Sequence, residues 1–284
     1  MTARRAGRRL AVAALLLAGC AGPEGLYRDQ LIFLGDDGVV LALVLGRRTD
    51  GNGEAKGWLG TSEGAWQMPF YDRFPLVPRR ARDLGASVRA WSSSAGGAVR
   101  ASFRSDAAGT HLALRTRAGR SSLDAARPAP LGAAQDPEGA SSYAVARATL
   151  RTPRRDSGGW LVTEATPEDA PRRGFVEVGD FTFLVAARPD GDLVVAKHSK
   201  GARGFELGLA RRADRVRRAR RIAVAPDPNR VVVTTAVLEA PLALDVRDRD
   251  RTTGVAPSGK ALGYEVLLLG GRWTGVAFTI RPGR

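Results

Sequence analysis

The sequence predicts an all-β protein, an antiparallel barrel or sandwich that divides readily into two similar halves. Three observations carry this. Asp-Gly turns sit between apolar runs, which is a strong hairpin signal. Period-two alternation recurs through residues 87–117, as expected of strands with one buried face. Helical periodicity is confined to one segment of the 284 residues.

In chain order, Leu31–Leu34 and Val39–Leu45 flank Gly35-Asp36-Asp37-Gly38 and form the first hairpin. Ser87–Trp91, Val99–Arg104 and His111–Arg117 read as a meander. Val99, Ala101 and Phe103 lie on one face of its middle strand, with Arg100, Ser102 and Arg104 on the other. Residues 118–142 are rich in Ala, Pro, Gly and Ser and read as a long loop, a lid or a linker. Strand character resumes at Tyr143–Leu150 and Trp160–Glu164, and Thr166–Gly174 is a second break. Phe175–Val178, Phe181–Ala187, the Pro189-Asp190-Gly191 turn, Leu193–Lys197, Val231–Leu238, Tyr264–Leu269 and Trp273–Ile280 complete the strands. Each half then holds a strand, an Asp-Gly hairpin and further strands, which suggests duplication. The one helical expectation is 209–222, where Leu209, Ala213, Val216, Ala219 and Ile222 recur at steps of three and four.

The amino-terminal segment reads as an address. Arg4, Arg5, Arg8 and Arg9 precede Leu10–Gly19, an uncharged apolar run of ten residues. Ten residues of helix, at about 1.5 Å each, fall short of a hydrocarbon core of roughly 30 Å, so the run fits an export signal and not a transmembrane span. Leu17-Ala18-Gly19-Cys20 ends it and resembles the lipobox of bacterial lipoproteins. The resemblance implies cleavage before Cys20, acylation of its thiol and of the new amino group, and anchoring in a membrane. Two or three acyl chains hold stably where one is marginal. It also implies a cell-envelope location, on the outer membrane facing the periplasm if the cell has two membranes, because Ala21 and not Asp follows the cysteine. The expected organisation is a signal over 1–19, a lipidated tether over 20–25, an N-terminal β half over 26–165 and a C-terminal β half over 175–284. Long antiparallel meanders also resemble lipocalin-like barrels, including forms with two such halves. That resemblance implies a ligand in a barrel mouth but transfers no individual residue.

Composition narrows the chemistry. There is one cysteine, so neither an intramolecular disulfide nor a multi-thiolate zinc site is expected. With two histidines, His111 and His198, a His-rich metal site is unexpected as well, and the sequence calls for no metal and no cofactor. The formal charge of +15 comes from 44 basic against 29 acidic residues, and only Lys56, Lys197, Lys200 and Lys260 are lysines. Nucleic acid is disfavoured by compartment, which leaves anionic lipid or an arginine-biased composition. Arg211, Arg212, Arg215 and Arg218, in the densest basic cluster, are candidates for anionic headgroups, since guanidinium forks match phosphate oxygens. Trp58, Trp66, Phe70, Tyr71 and Phe74, in a segment broken by Pro69 and Pro75, suggest a loop lining a barrel mouth. The first four of these are the candidate ligand contacts.

Three catalytic-looking motifs are better read as turns. Gly60-Thr61-Ser62-Glu63-Gly64 matches G-x-S-x-G, with His198 as the conceivable base, but Pro69 cuts off the helix a nucleophile elbow needs. Gly254–Lys260 fits G-x-x-x-x-G-K but places Ala261 where a magnesium-binding hydroxyl belongs, and the Arg-Asp run before it (Arg247–Arg251) is no buried strand. Asp50–Glu54 begins like a calcium loop and does not continue as one. The leading reading is a lipid-anchored, non-enzymatic binder or carrier of an apolar or amphipathic ligand. An envelope scaffold binding an unidentified partner protein through a sheet edge is the alternative, and a Ser62-dependent hydrolase is the least favoured. The address is testable: Cys20→Ala should move the protein from the membrane to the soluble fraction in a high-salt wash, and unchanged membrane retention through that wash would refute acylation at this site.

Overall fold

The computed structural model describes residues 27–47, 52–61, 63–64, 66–77, 89–93, 100–116, 119–136, 139–165, 180–200, 206–213, 215–219, 222–227, 229–236, 238, 240–255 and 261–282. Two antiparallel sheets account for nearly all of them. The first comprises β1 (Tyr27–Gly35), β2 (Val40–Arg47), β3 (Asn52–Gly60), β4 (Trp66–Val77), β5 (Arg89–Ser93), β6 (Arg100–Ser105), β7 (Thr110–Thr116), β8 (Gly119–Ala125), β9 (Ala129–Asp136), β10 (Gly139–Arg151) and β11 (Asp156–Ala165). β1 to β8 pair in sequence, β8 pairs with β10, β10 with β11, and β11 with β1, so the sheet curls round and closes, leaving β9 on the outer flank of β10.

The second sheet comprises β12 (Phe181–Ala187), β13 (Leu193–Ser199), β14 (Glu206–Arg212), β15 (Arg215–Ala219), β16 (Ile222–Pro226), β17 (Arg230–Thr235), β18 (Leu242–Val255), β19 (Ala261–Gly270) and β20 (Thr274–Pro282). Its order is β15-β14-β13-β12-β20-β19-β18-β17-β16, and β16 packs back over β13 and β14 to cover the interior. In each sheet the first strand lies between the second and the last, β11-β1-β2 in one and β20-β12-β13 in the other.

The apolar runs explain how the halves meet. Along β1, Leu31 and Phe33 point into the first barrel, while Ile32 and Leu34 point out to the second half. Along β12, Leu184 and Ala186 fill the second barrel, while Phe181, Phe183, Val185 and Ala187 face the first half. Strands apolar on both faces are thus those covered on both faces. Strands away from this seam alternate: on β7, Leu112 and Leu114 are buried, and His111 and Arg115 are exposed.

Four expectations need correction. The segment 209–222 is not a helix. It forms β14, β15 and the start of β16, with a tight turn after Arg212 in which Ala213 has φ 44°. Its apolar spacing is accidental, because Leu207 and Leu209 face the seam and Ala210 the barrel interior, a period of two. Residues 118–142 are not a loop: they contain β8, β9 and the start of β10, with Leu123 and Leu131 as buried anchors. The prolines are tolerated there because Pro130 lies on the outermost strand of the sheet. Residues 52–77 are also strands, and Pro69 falls where the pairing of β3 with β4 shifts register, so no ladder hydrogen bond is lost to it. The Arg-Asp run belongs to β18, where alternation sends Arg249 and Arg251 to Glu265 on one face and Asp248 and Asp250 to the other.

One ion pair is buried in the seam. Lys197 on β13 is fully buried, and its ammonium lies 2.5 Å from Glu164 Oε1 on β11. The Tyr143 hydroxyl donates to the same oxygen at 2.9 Å. The rings of Phe183 and Tyr143 lie 5.0 and 5.5 Å from the ammonium. Burial alone would raise the Glu164 carboxyl, but Lys197, Ser141 and Tyr143 together hold it below the ordinary glutamate range. A depressed carboxyl contributes stability that is fully present above its unfolded value and is lost as pH falls through its folded value. Acid should therefore loosen the seam only below about pH 4.3. Lys197→Met, which strands the Glu164 charge, should cost about 3–5 kcal/mol in urea unfolding, and adding Glu164→Leu should restore most of it. A single variant as stable as the parent would refute this account.

Candidate functional site

The candidate site lies at one end of the first barrel. A cleft of about 180 Å³ is lined by Val39 at the entry to β2, Leu59 and Gly60 at the end of β3, and Thr61 and Glu63 in the β3–β4 turn. Thr152, Arg154 and Arg155 of the β10–β11 turn and Ser157 of β11 complete it. Val39 and Leu59 pack on the leucine core inside the barrel, so the floor is apolar and continuous with that core. Polar groups stand at the rim.

Two local devices fix the rim. Asp37, in the β1–β2 turn, accepts from the Ser157 hydroxyl at 2.6 Å and from the Val39 backbone N–H at 3.2 Å, and pairs with Arg155 at 3.3 Å. A side chain at Gly35 would place its Cβ 2.6 Å from both the Asp37 carboxylate and the Ser157 hydroxyl, so the knot requires glycine there. In the facing turn, the Thr152 hydroxyl donates to the Arg155 carbonyl at 2.9 Å and accepts from the Arg154 and Arg155 N–H groups at 3.3 and 3.2 Å. A threonine that satisfies its own turn in this way pre-forms it. The result is an exposed Arg154 on a rigid turn, with no acidic partner among the described residues. A bound carboxylate would meet the Arg154 guanidinium and apolar carbon within the same cleft, with the Glu63 carboxylate also in its lining. Drug-sized ligands need roughly 300–1,000 Å³, so this cleft takes an end group or a short chain and not a whole large ligand.

The sequence-predicted residues are dispersed. Trp58 neighbours Leu59 but faces the seam, where its indole N–H donates to Asp250 of the second half at 2.9 Å and its ring meets Phe278 edge-on at 5.7 Å. Trp66, Phe70 and Tyr71 lie on β4, and their side chains fall outside the described residues, as do Cys20 and Ser62. Arg211 lies 4.8 Å and Arg147 4.7 Å from the centre of the Trp160 ring, so an arginine from each half contacts it. Arg212 pairs with Asp192 at 3.6 Å, and Arg215 and Arg218 are exposed on β15. Gly60 to Gly64 close a hairpin, with the Gly64 N–H donating to the Thr61 carbonyl at 3.0 Å. Gly254 and Val255 end β18, and residues 256–260, like Asp50 and Gly51, lie outside the described set. His198 is half-buried on β13, in register with Thr182 and Glu206.

Sequence reasoning missed Arg154, the Asp37–Ser157 knot and the Lys197–Glu164 pair. The last left a readable trace: a lysine at the end of the apolar run Leu193–Ala196, in a chain with only three other lysines among its 44 basic residues. An ammonium is compact enough for a core that could not accommodate a guanidinium fork.

No protein-family model and no curated protein matches the chain. Among solved structures, one assigned as AttH from Nitrosomonas europaea aligns with a TM-score of 0.60 at 12% identity, covering 90% of this chain and 92% of that one. CghA aligns with a TM-score of 0.56 at 13% identity, covering 90% of this chain and 87% of its own. At such identity the likeness is one of fold. The chain has an all-β, lipocalin-like fold whose two curled antiparallel sheets are shared, over about nine-tenths of its length, with these two structures.

Proposed function

We propose that the protein is a lipid-anchored envelope binder or carrier of small amphipathic molecules with an anionic end, held to the membrane through Cys20. The observation that carries the reading is the cleft itself, where Val39 and Leu59 form an apolar floor and Arg154 stands at the rim. Beneath the floor, Leu31, Phe33, Leu41, Leu43, Leu112, Leu123 and Leu150 pack on one another. A ligand in this cleft rests on that cluster. Its acyl carbons cover Leu59, its carboxylate pairs with Arg154, and the remainder lies outside. The lipobox supports the location, since a tether of a few residues keeps such a cleft near the bilayer, where amphipathic molecules concentrate.

Binding of decanoate and of decanol to the purified full-length chain, followed by calorimetry, tests this. Decanoate should bind more tightly than decanol. Arg154→Ala should weaken decanoate about five- to tenfold, the equivalent of roughly 1–1.4 kcal/mol for one partly solvated charged hydrogen bond, and leave decanol unchanged. Leu59→Asp should abolish both. No binding of either probe would refute the carrier reading, and equal loss of both probes in Arg154→Ala would refute the role given to its charge.

A further inference from the structure

The second sheet ends in an arginine-bearing edge that the ligand cleft does not use. β15 is the outermost strand, beyond β14, and Arg215, Val216, Arg217 and Arg218 are all exposed, so this strand is open to solvent on both faces while β14 is buried over Leu207–Ala210. Register puts Arg215 and Arg217 opposite Arg212 and Ala210, on one face, and Val216 and Arg218 opposite Arg211 and Leu209, on the other. Among the described residues, no acid pairs with Arg215, Arg217 or Arg218. Val216, at 41% exposure, is the exposed large apolar side chain of the described residues.

We infer that the β14–β15 hairpin is a docking element for an anionic phospholipid surface. Three guanidinium forks with no acidic partner among the described residues, and one exposed valine, on the outermost strand match a layer of phosphates over hydrocarbon. Arginine binds the phosphates bidentately, and the valine reaches past them. An acidic peptide added along the edge of β15 would satisfy the backbone and the arginines but offers nothing to the exposed Val216. A headgroup layer over hydrocarbon meets the arginines and the valine together. This goes beyond the ligand cleft, which lies on the other sheet, and each part fails separately.

Vesicle co-sedimentation of the full-length Cys20→Ala chain tests it, because that background removes the acyl anchor and keeps every other feature constant. Vesicles carrying about one-third phosphatidylglycerol should retain the parent chain. Reversing the tip with Arg215→Glu, Arg217→Glu and Arg218→Glu should lower partitioning at least about tenfold, and raising salt should erase the difference. Lysine at the same three positions should restore part of the binding, because the charge returns without the fork. Should the triple reversal fail to fold, Arg217→Glu and Arg218→Glu taken singly should each give a partial loss. Decanoate binding should be unchanged in all of them, which separates this inference from the carrier reading. Equal partitioning of parent and reversed chains would overturn it. So would equal retention by phosphatidylcholine vesicles, or displacement of the chain from anionic vesicles by polyglutamate at matched ionic strength.

Discussion

The Lys197–Glu164 pair is the constraint on which the two-barrel arrangement depends. Its partners come from different sheets, it is sealed from water, and Tyr143 and Phe183 pack around the ammonium. An ion pair removed from water gains little net stability, since desolvation offsets most of the Coulomb attraction. What it does impose is uniqueness. A slide of one half by one residue along the seam would bury an ammonium against leucine and valine and leave a carboxylate behind it. Apolar contacts alone tolerate such slides, because Val, Leu and Ile surfaces interchange at modest cost. Glu164 Oε2 has no hydrogen-bond partner of its own, so the carboxylate relies on the contacts at Oε1 and on neighbouring hydroxyls. That makes the penalty for losing Lys197 correspondingly large.

Contacts at the rim of the seam reinforce the same register. Trp160 is contacted by Arg147 and Arg211, Trp58 bonds to Asp250, and the Thr274 hydroxyl donates to the Gly35 carbonyl at 3.1 Å. The β12–β13 turn reaches the Trp160 ring at Gly191, where φ is 94° and a Cβ would come within 2.9 Å of the indole. Only glycine satisfies both the left-handed backbone and that approach. The aromatic and polar groups of the seam are thus occupied in holding the halves together. This is why Trp58, conspicuous in the sequence, is placed as a bracket between them.

What was legible in the sequence follows from which physical signals are local. Asp-Gly turns and period-two alternation gave the hairpins at Asp36–Gly38 and Asp190–Gly191 and most of the meander, because turn chemistry and half-buried faces are written within a few residues. Unbroken apolar runs such as Leu31–Leu34 and Phe181–Ala187 already recorded a strand buried on both faces, although what covered the second face lay far off in the chain. The errors have the opposite cause. β8 and β9 are rich in Ala, Ser and Pro, and only pairing with β7 and β10 makes strands of them. The helical spacing at 209–222 arose because exposed Val216 and the turn residue Ala213 fell by chance in step with Leu209 and Ala219, while Arg215, Arg217 and Arg218 occupy both faces of β15. The cleft was invisible for a similar reason, since Asp37, Leu59, Arg154 and Ser157 meet only when the sheet closes through β10, β11 and β1.

Closure also decides where this protein can hold anything. A lipocalin-like barrel with an open interior takes a ligand down its axis; among the described residues, Leu31, Phe33, Leu112 and Leu150 pack together inside the first sheet, and Leu184, Val231, Leu244 and Leu267 inside the second. The described residues also offer surface at the ends of strands, where turns leave side chains free of the ladder. On the first sheet such a place is the β3–β4 and β10–β11 turns, which the Asp37 knot and Thr152 hold rigid at little entropic cost on binding. On the second it is the β14–β15 tip. The chemistry found at these two places, arginine beside a little exposed hydrocarbon, is the same.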